Sequence, residues 1–315
     1  MMNKHKIMDV LEEAMKIGKS VIPKGNVATY IPELAKADKN KLGICLHTVD
    51  GNFYSIGDYE ERFTIQSISK VITLCKALEE FGAKHVFEFV GMEPSGEAFN
   101  SLVELDLKHN RPFNPMINSG AITVASMLLE KCSFEDMVVY TQKLCMDDQI
   151  SLDMATFQSE MAHSSRNRAI SYLLESKGII KANVEDSLTF YTQMCSLTVS
   201  AKSLANLGLI LATDGVNPEN GERLISSWVA RTVKTIMLTC GMYDGSGEFA
   251  VLTGIPTKSG VGGGLVSVAN AKLGIGVYGP ALDDKGNCIA GCELLKYLSK
   301  QLDLHMFNTS EWEEL

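Results

Sequence analysis

Ser67 and Lys70 stand three residues apart in Phe63-Thr64-Ile65-Gln66-Ser67-Ile68-Ser69-Lys70. On a helix, that spacing stacks two side chains on one face. A hydroxyl at a helix start lies among unpaired N–H groups, where the macrodipole favours negative charge. With an amine one turn on, it becomes a nucleophile beside its base. The plainer account is that a chain of this size holds about one Ser-x-x-Lys pair by chance, and a serine there is also an ordinary N-cap. Lys258-Ser259-Gly260, just before or on a glycine-rich strand, strengthens the chemical account. Its lysine adds positive charge near an anionic substrate group. Its glycine lets the strand backbone approach a ligand, although a glycine-rich bulge would look the same.

Ser-x-x-Lys on a helix, followed much later by Lys-Ser/Thr-Gly on a strand, is the order found in penicillin-recognising serine enzymes. Their middle motif is Ser-x-Asn or Tyr-x-Asn. Ser165-Arg166-Asn167 fits the first form. Tyr191 and Tyr243 each offer a phenol without the asparagine, and a single tyrosine is more simply a core residue with a satisfied hydroxyl.

The elements that must position these residues follow from periodicity. Ile7 to Ile17 has helical spacing and is closed by Gly18 and Pro23-Lys24-Gly25. Leu42–Val49 and Phe53–Asp58 flank Asp50-Gly51, a strong hairpin signal. The Ser67 helix runs through Leu78 and stops at Gly82. Its apolar residues nearly circle it, as in a helix buried between layers. Helices are predicted over Asn118–Leu129, Glu160–Leu174 and Ser187–Leu211. Strands are predicted at Phe249–Leu252, Lys258–Val268 and Leu273–Tyr278, before a last helix through Leu294, Leu295 and Leu298. Strands at both ends with helices between imply an α+β fold, an antiparallel sheet flanked by helices with a mainly helical lobe. The expected organisation is one domain over 1–315, its α/β lobe from about 1–82 and 231–315 and its helical lobe about 83–230.

The chain has 315 residues, 45% of them hydrophobic, and a formal charge of -9. That suits a large core and lacks the basic footprint of a nucleic-acid binder. The eight cysteines are scattered without a Cys-x-x-Cys pair, so buried thiols are expected and no metal site. No apolar run approaches the ~20 residues needed to span a bilayer. The N-terminus enters an amphipathic helix without an apolar signal core. A cytoplasmic protein is expected, without a membrane partner.

The chain resembles the serine-dependent glutaminases of the β-lactamase-like fold, in their short bacterial form. The matching segments are Val27–Leu34, Phe63–Lys70, Glu93-Pro94-Ser95-Gly96 with Phe99-Asn100-Ser101, and Arg111 to Asn118. Further on come Glu160 with Arg166-Asn167, Tyr191–Ser196, Met237–Phe249 and Pro256–Gly264. Ser119 departs from the alanine of the family's Asn-Ala-Gly-Ala. The resemblance implies Ser67 as nucleophile, Lys70 as base, Tyr243 as proton relay and Tyr191 close to the same centre. It implies the N–H groups of Ser67 and Val261 as oxyanion donors. Tyr30, Asn118, Glu160 and Asn167 would hold the amino-acid end of L-glutamine, which makes Ser165-Arg166-Asn167 a chance match to the lactamase pattern. No cofactor is implied, and a homodimer or homotetramer is expected. A carboxylate with amides and phenols suits an amino-acid zwitterion better than a β-lactam. The rival readings are a β-lactamase or transpeptidase, a non-catalytic glutamine-binding protein and an amidotransferase module.

Overall fold

The computed structural model describes residues 4–95 and 111–307. Its first helix is α1 (Lys4–Val21). Strands β1 (Gly43–Thr48) and β2 (Phe53–Gly57) then fold back on each other around Asp50-Gly51, pairing Ile44 with Ile56. After β3 (Phe63–Thr64) comes α2 (Ser69–Phe89). A helical stretch follows: α3 (Asn118–Leu128), α4 (Phe134–Cys145), α5 (Met154–Ala162), α6 (Ser165–Ser176) and α7 (Val184–Cys195). The chain continues through β4 (Thr198–Val199), α8 (Ala201–Ala212), α9 (Ser227–Cys240) and α10 (Ser246–Thr253). It ends with β5 (Thr257–Gly260), β6 (Gly264–Ala269), β7 (Leu273–Tyr278) and α11 (Ile289–Gln301).

Five strands form one sheet in the order β2-β1-β7-β6-β5, every neighbour antiparallel. The N-terminal hairpin is thus completed by the C-terminal strands. Strands β1, β6 and β7 are buried throughout, because helices cover both faces. Helices α1 and α11 lie on one side around Leu11, Leu294 and Leu298, and α8 lies on the other. Contact on the α8 side is close. A Cβ added at Gly276 would fall 1.8 Å from the Ala201 carbonyl oxygen, and one at Gly274 would fall 2.1 Å from that of Ala205. The second core packs α3 against both α2 and α7 through residues such as Ile72, Ile122 and Leu188.

Several elements differ from the sequence expectation. Helix α1 passes Gly18, the first of its two expected stops, and ends just before the second at Pro23. Gly82 interrupts α2 at φ 74°, yet helix resumes to Phe89. Phe249–Leu252 is helical within α10, closed by left-handed Gly254. A four-residue apolar run is ambiguous between strand and helix, and Val251 is 65% exposed. Lys258–Val268 is two strands joined at Val261-Gly262-Gly263. Glu160–Leu174 divides at His163-Ser164, and Ser187–Leu211 divides at β4. Helix α8 falls within the span expected for the helical lobe but packs on the sheet. Of the expected motifs, Gly96, Phe99, Asn100 and Ser101 lie outside the described residues.

Candidate active site

The antiparallel pair β3–β4 aligns Phe63 with Val199, and the Ile65 N–H donates to the Leu197 carbonyl at 2.8 Å. The chain then enters Gln66 at φ 49°, a backbone conformation that is costly for a side-chain-bearing residue. Gln66–Ile68 form a 3₁₀ turn, and α2 begins at Ser69. Ser67 therefore sits on a tight turn two residues ahead of the helix and faces a cavity of about 420 Å³.

Lys70 lies below that turn, 1% exposed. Its Nζ donates to the Met116 carbonyl at 3.1 Å and to Asn118 Oδ1 at 2.7 Å. Burial pulls its pKa down from 10.5 to about 8, because desolvation disfavours the charged form. A neutral amine has two N–H donors and one lone pair. With both donors engaged by carbonyl oxygens, the lone pair is left to accept a proton.

The β5–β6 hairpin presses on the Ser67 turn. A Cβ at Gly260 would meet the Ile65 carbonyl oxygen at 2.8 Å, and one at Gly262 would meet that of Thr64 at 2.5 Å. The glycine of Lys258-Ser259-Gly260 thus lets the strand approach the turn, where the sequence suggested a ligand. Val261, held between these glycines, shares the cavity with Ser67.

Tyr243, at φ 54°, donates its hydroxyl to the Ser259 carbonyl at 3.3 Å. Burial raises its pKa, and the neighbouring Ser67 side chain, Ser259 and the Val261 N–H oppose the rise. Lys258 does not reach the cavity. It is 0% exposed, donates to the carbonyls of Gly241 and Ser259 at 3.1 and 2.6 Å, and sits 4.4 Å from the Tyr243 ring centroid. Burial, and then the Lys70 charge, hold its pKa well below the usual lysine range. It therefore supplies no exposed positive charge for a substrate anion.

Tyr30, Glu160 and Asn167 line the other side of the cavity. Tyr30 is 52% exposed, but its hydroxyl donates inward to Glu160 Oε1 at 2.7 Å. Burial raises the Glu160 pKa against hydrogen bonds from Tyr30 and Gln66. Asn118 Nδ2 donates to Asn167 Oδ1 at 2.9 Å, and the Tyr191 hydroxyl donates to Asn118 Oδ1 at 3.3 Å. Seven of the nine predicted site residues line this one cavity, and Lys70 and Tyr243 lie behind its wall. Sequence reading missed Gln66 and Cys195. Gln66 is the neighbour of Ser67. Cys195 is four residues beyond Tyr191 on α7, a spacing that puts both on one face. Among the described residues no cluster of His, Cys, Asp or Glu could hold a metal.

A buried Ser-x-x-Lys turn facing the β5 edge of an antiparallel sheet, with helices on both faces, is the arrangement of the β-lactamase-like fold. A family model for glutaminases matches residues 25–307. Glutaminase 2 of Clostridium perfringens (strain 13 / Type A) is 49% identical over 301 residues, covering 94% of this chain and 99% of that protein. A glutaminase of Clostridium botulinum (strain Hall) is 50% identical, with 95% and 99% covered. Among solved structures, the probable glutaminase YbaS aligns with a TM-score of 0.92 at 34% identity, covering 98% of this chain and all (100%) of that one. A probable glutaminase from Bacillus subtilis complexed with 6-diazo-5-oxo-L-norleucine aligns at 0.87 and 35% identity, with 98% of each covered. The chain belongs to the glutaminase family. It is an enzyme of that activity, the hydrolysis of L-glutamine to L-glutamate and ammonia.

Proposed function

We propose that the hydrolysis runs through a γ-glutamyl ester on Ser67. The Ser67 oxygen attacks the side-chain amide carbon while its proton passes to the Lys70 amine, with Tyr243 as relay. The tetrahedral intermediate collapses by breaking the C–N bond, and that proton leaves with ammonia. Water then attacks the ester, gives its proton back to the network and releases glutamate and the Ser67 hydroxyl. The N–H groups of Ser67 and Val261 receive the oxyanion, and Tyr243 cedes the Val261 N–H as substrate enters. Such donors are each worth about 3 kcal/mol. Glu160, assisted by Tyr30, takes the α-ammonium, and Asn118, Asn167 and Tyr191 serve the carboxylate end.

The observation that supports this most is the buried Lys70 amine, held by two acceptors one turn from a serine that faces the cavity. The reading extends to a cytoplasmic homo-oligomer in which 1–315 acts as one domain. The test is glutamate and ammonia release from L-glutamine by wild type and Ser67→Ala, beside nitrocefin. Glutamine turnover that is lost in Ser67→Ala is expected, with none of nitrocefin. Turnover that survives the alanine change would end the nucleophile assignment.

A further inference from the structure

A second cavity, of about 180 Å³, lies between α10, the 283–287 loop and α11. Its wall includes Asn287, which is 3% exposed. The Asn287 amide nitrogen donates to the Met242 carbonyl at 3.4 Å, and its backbone N–H donates to Asp283 Oδ1 at 2.9 Å. Its Oδ1 has no hydrogen-bond partner among the described residues. A buried acceptor without a donor costs free energy, so it favours any occupant that supplies an N–H. Phe249, Leu252 and Ile289 give the cavity apolar walls. Three carboxylates, Glu248, Asp283 and Glu293, stand against two lysines, Lys285 and Lys296. Lys285 is already paired with Glu248 at 3.2 Å. An uncompensated acceptor, one surplus negative charge and an aliphatic wall together fit a short alkylammonium.

The cavity also backs onto the proposed catalytic wall. Met242 and Gly245, which flank Tyr243 on its turn, both line it. On the other side of the 283–287 loop, a Cβ at Gly286 would lie 3.5 Å from Val261 Cγ1 and 3.7 Å from the Tyr243 ring. One short loop thus touches this cavity and both residues beside Ser67.

We propose that this cavity is a second ligand site, taking a small aliphatic primary amine as its ammonium ion. The ammonium donates to Asn287 Oδ1, and the alkyl chain packs on Phe249 and Leu252. Occupancy braces the Met242–Gly245 turn, which holds Tyr243 at positive φ, and raises turnover. The site itself stands apart from the acyl-enzyme reading. Only the effect on turnover rests on it, through Tyr243.

The experiment uses n-butylammonium chloride, with n-butanol and sodium chloride as controls. Calorimetry on Ser67→Ala protein saturated with L-glutamate keeps the first cavity filled and turnover out of the measurement. Saturable binding of the ammonium is expected, weakened by about tenfold or more by Asn287→Leu and, should that variant misfold, by Leu252→Trp, which fills the cavity. No saturable binding, equal binding of butanol, or binding unchanged in both variants would overturn the site. In wild type, the rate of glutamate formation at saturating glutamine should rise about twofold or more on occupancy. Transfer of the glutamyl group to the amine would lower that readout. Binding without a rise would overturn the brace and leave the acyl-enzyme reading to the Ser67→Ala assay.

Discussion

The Lys70 amine donates to the Asn118 side-chain oxygen at 2.7 Å, and the same oxygen accepts the Tyr191 hydroxyl at 3.3 Å. Through its nitrogen, Asn118 also holds Asn167 at 2.9 Å. The proposed base and the proposed substrate pocket are therefore one hydrogen-bonded unit. A residue expected to bind substrate also fixes the direction of the amine.

A neutral Lys70 as base makes activity depend on losing its proton. With its pKa near 8, kcat/KM should rise tenfold per pH unit below that point and level off above it. Asn118→Asp places a negative charge against the amine and should move this limb upward by about one unit or more. A pH–rate profile of both proteins checks it.

Lys70 should also leave a mark on stability. Its folded pKa of about 8 lies below the 10.5 of an exposed lysine, so from about pH 8 to 10.5 the unfolded chain binds the extra proton. Stability then rises with pH across that window, and below it the full penalty, about 3 kcal/mol, remains. The stability of wild type relative to Lys70→Met should increase by that order between pH 7 and 10.5 in denaturant titrations. The Met variant should be inactive at every pH.

Tyr243→Phe removes the hydroxyl that meets Ser67 and keeps the ring over Lys258. A lost proton relay should cost about 10²-fold or more in kcat and leave KM within a few-fold. Steady-state kinetics separate the two, and a loss confined to KM would move Tyr243 from chemistry to binding.

Glu160→Gln keeps the hydrogen bond with Tyr30 and removes the charge offered to the substrate ammonium. Charge-assisted pairs are worth about 1.5–3 kcal/mol, so glutamine affinity should fall by about 10- to 100-fold. Because burial raises the Glu160 pKa, binding to Ser67→Ala protein should weaken on acidification earlier than an ordinary carboxylate would cause. Calorimetry at stepped pH reads both effects.

Ser67 and Lys70 were legible from residue type and spacing, and the remaining site residues only through the family resemblance. Ser67 and Lys70 are local to one turn, and the Asp50-Gly51 hairpin is set by its own sequence. The destination of Lys258 was not, because the alternation of a strand gives two faces and only the pairing of Lys258 with Val266 in the sheet decides which is which. The partner of Gly260 was hidden for the same reason. Its neighbour, the Ile65 carbonyl, is almost two hundred residues away in sequence. Phe249–Leu252 misled because four apolar residues fit either period, and the left-handed stop at Gly254 sets the helix.

The glycines where α8 meets β7 carry a further consequence. No side chain fits between Gly276 and Ala201, or between Gly274 and Ala205, so even a methyl group there must drive helix and sheet apart. Helix α8 directly follows β4, whose partner β3 leads into Gln66 and Ser67. The alignment of the proposed nucleophile is thus anchored where α8 meets the sheet, at positions that carry no chemistry of their own.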